Sequence, residues 1–119
     1  MRCMTAGGGL AAQLRKGTLS YCVLALLARR ERYGFELVRT LSGVDGLVTS
    51  EGTIYPLLSR LRKDGHVTTT WRDSEEGPPR KYYAITQQGL ADLGAFRVEW
   101  RRFRTAVDRV VEGEGQDAI

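Results

Sequence analysis

The sequence has 119 residues, of which 42% are hydrophobic and 27% charged, and its formal net charge at pH 7 is +4. A chain of this length supports one small domain, and this composition excludes a disordered chain, a collagen-like repeat and a disulfide scaffold. No apolar run approaches the roughly 20 residues of a membrane helix, and the first residues lack the apolar stretch of a signal peptide, so we expect a cytoplasmic protein.

The two cysteines lie in different surroundings, Cys3 in a glycine-rich segment and Cys22 in an apolar one. Two cysteines are too few to staple a secreted fold, so we expect both to be reduced thiols and leave a redox role open. The positive charge permits nucleic-acid binding without requiring it. Residues 1–32 contain six basic residues and one acidic residue, whereas residues 87–119 are slightly acidic.

The first part of the chain predicts a leader and two helices. Residues 1–13 are expected to be flexible, because three consecutive glycines are costly to order. Apolar residues at helical spacing predict one helix from Thr18 and a second over about residues 34–41. A turn then leads to residue 50.

A third helix is predicted over residues 50–64, with an apolar stripe on one side and polar residues on the other. Ser50 is its predicted N-cap, its hydroxyl accepting the N–H of Gly52 or Thr53. Pro56 lies early in the helix, where it predicts a distorted or late-starting first turn. The apolar stripe consists of Ile54, Leu57, Leu58 and Leu61.

The chemistry then changes to that of strands. β-branched and aromatic residues predict strands over residues 67–71 and 82–85, joined by a hairpin tip over residues 72–81. Thr86 is the predicted N-cap of a long final helix, and residues 113–119 are expected to be a disordered tail.

This order of elements predicts a mainly α fold with a small β-hairpin. Three helices followed by a two-stranded wing describe a winged helix-turn-helix domain, which we place at residues 14–86. The long C-terminal helix, residues 87–112, is then a dimerisation helix.

The third helix has the features of a helix that reads DNA. A helix fits the major groove when one stripe holds it on the body and its polar face carries hydrogen-bonding and basic groups. Gly52 lets the backbone approach phosphates, and Ser50 and Thr53 can donate to phosphates or reach base edges. Tyr55 can reach a phosphate or a thymine methyl group. The alternative is an ordinary amphipathic surface helix with a solvated polar face.

The hairpin favours the DNA-binding interpretation. Arg80 and Lys81 at its tip would supply a second basic contact, to the DNA backbone or the minor groove. Their acidic neighbours Asp73, Glu75 and Glu76 oppose this, because they repel phosphates unless they point away.

The final helix carries a regular apolar seam with spacings of 3, 4, 3, 4 and 3 residues, a heptad pattern that seeks a partner helix. A helix of roughly 27 residues extends about 40 Å, longer than so small a body covers, so we expect a homodimer. Alternatively the seam packs back on the first helix, and both arrangements can hold for different parts of it. The seam consists of Leu93, Phe96, Trp100, Phe103, Val107 and Val110.

Three aromatic residues of the seam suggest a second role. Phe96, Trp100 and Phe103 could stack a planar ligand at the dimer interface and couple its binding to the separation of the two DNA-reading helices. The alternative is that they are simply interface core.

We expect no enzymatic activity, no metal and no cofactor. His66, the sole histidine, follows a helix-ending glycine, a position where histidine more often caps a turn than acts as a base or ligand. The sequence has no cysteine and histidine cluster at metal spacing and no glycine-rich phosphate loop.

The sequence resembles the PadR family of transcriptional regulators over about residues 14–112. The resemblance rests on Leu-Arg-Lys-Gly-Thr-Leu at 14–19, Tyr-Gly-Phe-Glu-Leu at 33–37, Ser-Glu-Gly-Thr-Ile-Tyr-Pro-Leu-Leu-Ser-Arg-Leu at 50–61 and Gly-Pro-Pro-Arg-Lys-Tyr-Tyr at 77–83. It implies a homodimeric winged-helix repressor, often of genes for detoxification, multidrug efflux or phenolic-acid stress. The residues that it implies lie at the DNA are Ser50, Thr53, Tyr55, Lys63, Arg80 and Lys81, to which we add Gly52 and the basic Lys16.

The short C-terminal part is similar to the compact branch of that family, which has a single dimerisation helix. Some compact members bind flat aromatic compounds with a tryptophan on that helix, and Trp100 is the corresponding candidate. The sequence therefore predicts a dimeric repressor of a palindromic operator, relieved by a small effector for which a planar aromatic compound is a candidate. The alternative is a winged-helix module that binds a protein or a ligand and has no DNA target.

Overall fold

The structure is a computed structural model, which describes residues 9–47 and 49–113. Within these residues the helices are α1 (Gly9–Arg15), α2 (Leu19–Arg29), α3 (Gly34–Ser42), α4 (Glu51–Lys63) and α5 (Gln87–Val111). The strands in the same part of the chain are β1 (Arg32–Tyr33), β2 (Val67–Ser74) and β3 (Gly77–Ile85). The predicted winged helix-turn-helix with a long last helix is confirmed.

The core forms where the apolar faces of α2, α3 and α4 meet. Helical spacing brings the leucines, isoleucine and valines of each helix to one side, and removing them from water is the main stabilising term. Val67 and Tyr83 of the sheet and Leu93 of α5 complete the core. Its largest fully buried side chains are Val23, Leu24, Leu37, Ile54 and Leu58.

Two elements were not predicted. Helix α1 begins at Gly9, inside the segment expected to be a flexible leader up to residue 13, because the residues after the glycines are mostly good helix formers. Strand β1 has only two residues, too few to show a period-2 pattern. Residues 1–8, with Cys3, and residues 114–119 of the expected tail lie outside the described residues.

The sheet has the order β1-β3-β2 and is antiparallel throughout. Strands β2 and β3 extend further than predicted, so the turn between them is only Glu75–Glu76. We call this hairpin the wing. The prediction that Arg80 and Lys81 lie at its tip is wrong, because both belong to β3. Proline is rare in strands, but Pro78 and Pro79 lie on a part of β3 that β1 does not pair, and an edge tolerates a missing N–H.

The register assigns each wing residue to one of two sides, because successive strand residues point to opposite faces. Trp71 pairs with Lys81, and Thr70 pairs with Tyr82. The helix-facing side, which includes the buried Val67 and Tyr83, consists of Val67, Thr69, Trp71, Lys81, Tyr83 and Ile85. The outer side consists of Thr68, Thr70, Arg72, Arg80, Tyr82 and Ala84.

A bonded junction joins the end of α4 to the start of α5. Thr86 is the N-cap of α5, as predicted: its hydroxyl accepts the N–H of Gly89 at 3.0 Å and donates to the carbonyl of Gly65 at 2.7 Å. A Cβ on Gly89 would lie 2.3 Å from the backbone oxygen of His66, so only glycine fits there. Helix α5 therefore leaves the body at a fixed position beside the end of α4.

The apolar seam of α5 divides into two parts. Leu93 is 2% exposed and packs in the core of its own chain, so its assignment to a dimer interface is wrong. Phe96 stacks on Tyr21 of α2, with ring centroids 4.2 Å apart and planes at 4°. Beyond this point Phe103 is 63% exposed and Val110 60% exposed. The seam thus packs back on α2 at its start and stands free at its end.

Candidate nucleic-acid interface

Helix α4 turns a polar face away from the body. Ile54, Leu57, Leu58 and Leu61 are buried, and these positions cluster on one side of the helix. At 100° per residue the opposite side is centred on Gly52, Pro56, Ser59 and Lys63, all of them exposed. This outward face is free to enter a groove of DNA.

The first turn of α4 differs from the prediction in two respects. Ser50 is the N-cap, but its hydroxyl accepts no hydrogen bond from the helix. Its carbonyl instead accepts the N–H groups of Thr53 and Ile54, each at 3.0 Å, and Ser50 is exposed. The late start expected from Pro56 is also wrong, since the helix is continuous from Glu51 through the proline.

One flank of α4 faces the turn between α1 and α2. A cleft of about 440 Å³ separates them, and Thr53 and Arg60 of α4 line it opposite Lys16. A hydrogen bond fixes this turn to the segment before α4, because the Arg15 guanidinium donates to the carbonyl of Leu47 at 3.0 Å. The structure therefore brings the predicted contacts Lys16 and Thr53 together.

The other flank faces the wing and the start of α3. A cleft of about 540 Å³ lies there, and the described residues that line it include aromatic side chains, two prolines and two cations but no carboxylate. Tyr55 from α4 and Lys81 from β3 border it from opposite walls. Its lining residues are Tyr33, Gly34, Phe35, Tyr55, Trp71, Pro78, Pro79, Arg80, Lys81 and Tyr83.

Tyr55 is fixed by its contact with α3. A Cβ on Gly34 would lie 2.9 Å from Cε1 of the Tyr55 ring, so the missing side chain makes room for the ring. Burial, and the nearby charge of Glu51, raise the pKa of the Tyr55 hydroxyl above its ordinary value. The hydroxyl therefore keeps its proton at neutral pH and can donate to a phosphate oxygen.

A third cleft, of about 370 Å³, lies between the C-terminal half of α4 and the wing. Lys63 and Lys81 line it together with Ser59 and Arg62. Three cations thus gather where the last turn of α4 meets β3, next to the negative end of the helix dipole that favours them.

Arg80 and Lys81, the two predicted DNA contacts of the wing, lie on opposite sides of the sheet. Lys81 belongs to the helix-facing side, whereas the guanidinium of Arg80 lies over the ring of Tyr33, 4.4 Å from its centroid. Side by side in sequence, they are separated because strand residues alternate. The structure joins Lys81 to the α4 site and places Arg80 at its margin.

Ser59, Arg60 and Arg62 were missed as candidate site residues. All three are exposed on α4 and line the clefts on its two flanks. The signal was present in the sequence, since the side of a helix opposite an apolar stripe can be read from its spacing.

His66 has a structural contact. Its Nε2 lies 2.6 Å from Oδ2 of Asp92 on α5, and its backbone N–H donates to the carbonyl of Leu61. Within residues 9–47 and 49–113, no group of three histidine, cysteine or carboxylate side chains is placed to hold a metal ion. In the same part of the chain, none of the helices is both long and apolar enough to cross a membrane.

Comparison with known proteins identifies the fold and the family. A PadR-like transcriptional regulator from Bacillus cereus is 40% identical, with a TM-score of 0.76 over 86% of this chain and 99% of its own. A PadR family transcriptional regulator from Eggerthella lenta is 35% identical, with a TM-score of 0.75 over 87% of this chain and 89% of its own. A protein of Lysinibacillus sphaericus is 31% identical over 100 residues, 82% of this chain and 92% of its own.

The same family is found from the sequence alone. Residues 23–95, which include α3, α4 and the wing, match the description "Transcriptional regulator PadR-like family". That description and the two solved structures agree with the predicted resemblance, and regulation of this kind implies DNA binding. The chain belongs to the PadR-like family of transcriptional regulators.

Proposed function

We propose that this protein is a homodimeric repressor that binds a palindromic operator with α4 in the major groove. The observation that carries the proposal is the outward face of α4, which stands clear of the body while cations line the clefts on both of its flanks. A groove of DNA needs this combination of a narrow exposed helix and positive charge on either side. The cytoplasmic location expected from the sequence suits this role.

The proposed contacts fall into two groups. The cations of the flanks, among them Lys16 and Lys63, neutralise phosphates and supply most of the affinity. Ser50, Gly52, Thr53 and Tyr55, from the first turns of α4, lie nearest the bases and phosphates at the groove. Few of these side chains suit bidentate base reading, so DNA shape contributes to specificity.

The free end of the α5 seam supports the homodimer. Phe103, Val107 and Val110 form an apolar stripe on a helix that extends about 37 Å. Exposed stripes of this kind are costly in water, and a second copy of the same helix covers them with matching spacing. Two copies would present two α4 helices to successive half-sites.

An effector site is proposed where the seam passes from the body to the free end. Trp100 stacks on Phe96, with ring centroids 5.8 Å apart and planes at 12°, and Phe103 continues the series at 6.4 Å. A planar aromatic ligand would extend this stack and alter the packing of two α5 helices. Relief of repression follows if that change moves the two α4 helices apart or together.

DNA binding is tested by fluorescence anisotropy with a labelled duplex from the region upstream of the chain's own gene, over a series of salt concentrations. Lys63→Ala should weaken binding and lower the slope of log Kd against log salt by about 0.9 for each phosphate that the variant no longer neutralises. Arg102→Ala removes one charge from α5, away from α4, and serves as the control. Equal affinity of Lys63→Ala and the parent protein would show that the site assignment is wrong.

The alternative function, a winged-helix module without a DNA target, has a clear outcome in the same experiment. Such a module would show no binding to the upstream region at any salt concentration, including the lowest. Its exposed cations would then serve an acidic protein surface instead.

Dimerisation is tested by sedimentation velocity on two variants of α5. Phe103→Asp places a charge in the apolar stripe and should give a monomer. Val98→Asp is the matched control, because Val98 is 54% exposed on the other side of the same helix. A dimer that survives Phe103→Asp would exclude this interface.

The effector proposal is tested by tryptophan fluorescence. Titration with a varied panel of planar aromatic compounds should quench Trp100, and Trp100→Phe should abolish the response. A flat titration with every compound would leave Trp100 as interface core alone.

A further inference from the structure

We propose that the wing contacts DNA through Trp71 and Lys81 on its helix-facing side rather than through its tip, and that Trp71 is the wing residue that discriminates between DNA sequences. This inference rests on the proposed function as a DNA-binding regulator. The chain has two tryptophans, and the sequence motifs gave no role to Trp71.

The exposure of Trp71 is the first observation. Its side chain is 64% exposed, although it is the largest apolar side chain of the wing. Nearer the body, Val67 and Tyr83 on the same side of the sheet are buried, so the exposure begins further out along the wing. Large exposed aromatic side chains beside a binding helix are typical of recognition surfaces.

The second observation is the direction of Trp71. It shares the helix-facing side with its cross-strand partner Lys81, and it borders the same cleft as Tyr55 of α4. This cleft adjoins the outward face of α4, so a duplex held by that face would run beside this side of the wing. Trp71 therefore stands where the strand of DNA flanking the major-groove contact would run.

The pairing of Trp71 with a cation gives the contact its chemistry. The Lys81 Nζ lies 5.6 Å from the centroid of the Trp71 ring and 5.9 Å from that of Tyr83. Such contacts hold the ammonium group over the faces of the two rings. A phosphate bound by Lys81 would bring the neighbouring deoxyribose against the indole, joining a charged contact to an apolar one.

The tip of the wing cannot serve the same purpose. Its turn is Glu75–Glu76, both residues are exposed, and Asp73 is exposed just before it. These carboxylates repel the phosphate backbone. The tip is therefore held off the DNA, and the wing must approach through the part nearer the body.

The other two cations of the wing are engaged on the outer side. Arg72 pairs with Glu31 and lies over the ring of Tyr82, 4.5 Å from its centroid. Arg80 lies over Tyr33, at the margin of the cleft that Trp71 borders. Among residues 67–85, all of which the structure describes, Lys81 is the cation on the helix-facing side.

Discrimination follows from what an indole can contact. Apolar side chains pack against the sugars that wall the minor groove, and they insert at flexible base steps; both contacts depend on groove width and deformability, which vary with sequence. Lys81 binds phosphate in any sequence. Lys81 thus supplies affinity for DNA of any sequence, and Trp71 supplies the preference for particular sequences.

The test compares Trp71→Ala, Trp71→Phe and Lys81→Ala, with Thr70→Ala on the outer side of the same strand as control. Binding to the operator and to a scrambled duplex of equal composition is measured across a salt series. Trp71→Ala should weaken operator binding about tenfold, with less effect on the scrambled duplex and an unchanged salt slope. Lys81→Ala should weaken both and lower the slope, and Trp71→Phe should be intermediate.

A direct readout uses the fluorescence of the unmodified protein. Binding of operator should protect part of the tryptophan emission from acrylamide quenching, and Trp71→Phe, which leaves only Trp100, should lose that protection while still binding. Circular dichroism of each variant checks its folding, and Trp71→Phe keeps a ring in place should the alanine variant unfold.

The outcomes separate this inference from the proposed function. Suppose that the unmodified protein binds operator with strong salt dependence and that Trp71→Ala binds equally well. Trp71 is then not a DNA contact, and the inference alone fails. If the alanine variant unfolds, Trp71→Phe takes its place in this comparison. The inference alone also fails if operator leaves the quenching of the parent protein unchanged. If the parent protein binds no DNA at any salt concentration, both proposals are overturned, and Trp71 would belong to a surface for a protein partner.

Discussion

Helices α4 and α5 carry the same kind of apolar pattern, yet the structure uses the two patterns differently. The stripe of α4 is buried throughout, with Ile54 and Leu58 both at 0% exposure. The seam of α5 is buried only where it begins, at Leu93, and reaches 63% exposure at Phe103. Helical spacing therefore predicts that one face of a helix packs against apolar residues, but it does not predict whether those residues belong to the same chain.

The largest expected effect comes from the buried stripe of α4. Leu58→Ala removes a fully buried side chain of α4 and should lower the free energy of unfolding by about 2–5 kcal/mol. Val110→Ala truncates an exposed position of α5 and should have little effect at protein concentrations low enough to give monomers. Denaturant unfolding across a range of protein concentrations measures both. A large loss for Val110→Ala at the lowest concentration would mean that the end of α5 packs within one chain.

The next effect concerns the point where α5 joins the body. Gly89→Ala forces a Cβ to within 2.3 Å of the His66 carbonyl oxygen and should cost about 1–3 kcal/mol or more through displaced backbone. Gly94→Ala is the matched control on the same helix, since a Cβ there meets nothing within 4 Å. That substitution should stabilise the helix by up to about 1 kcal/mol. Thermal unfolding of the pair should show shifts of opposite sign.

A smaller effect is expected from the cap of α5. Thr86→Ala removes the acceptor for the Gly89 N–H and the donor to the Gly65 carbonyl, and should cost about 1 kcal/mol. Thr86→Ser keeps both hydrogen bonds and should recover most of the stability. Equal stability of the alanine and serine variants would show that the junction is held by Gly89 and His66 without the cap.

The smallest effect concerns α3, on which α4 packs. Burial alone would raise the pKa of Glu36, but the hydrogen bond and charge of Arg30, with the charge of Arg32, outweigh it and hold that pKa below its ordinary value. The folded state thus favours the ionised carboxylate, and its contribution to stability is complete above the ordinary pKa of about 4.3 and lost as the pH falls through the folded value.

This pH dependence is checked by unfolding Glu36→Gln and the parent protein between pH 7 and pH 3. The parent should be the more stable at pH 7, and the difference should shrink as the pH falls. Glu99→Gln is the control, because the Glu99 side chain is 73% exposed and its ion pair with Arg102 is long, at 3.8 Å. A difference in stability that stays constant at all pH values would contradict the lowered pKa of Glu36.

Most of the fold follows from local patterns in the sequence. Helices α2 to α4 and the cap at Thr86 were predicted to within a few residues, because apolar spacing and capping residues act locally. Strand β1 could not be predicted, since two residues pair only because β3 lies beside them. Helix α1 was not predicted, because the consecutive glycines at its start favoured a flexible segment.

The candidate site was predictable by residue type more than by geometry. The resemblance and the amphipathic pattern picked out α4, but the separation of Arg80 from Lys81 depends on the cross-strand register, which a short turn sets. The burial of Leu93 likewise depends on where α5 meets α2. Tertiary packing, which no single segment encodes, decides both.

The prolines of β3 have a consequence for how the protein behaves in solution. A protruding hairpin with an open edge is a template on which another chain can add a strand. On the part of β3 that β1 does not pair, Pro78 and Pro79 occupy successive positions, so whichever of the two directs its nitrogen toward the open edge offers no donor. Strand addition along this edge of β3 would therefore lack a backbone hydrogen bond, which makes the edge a poorer template for β-aggregation.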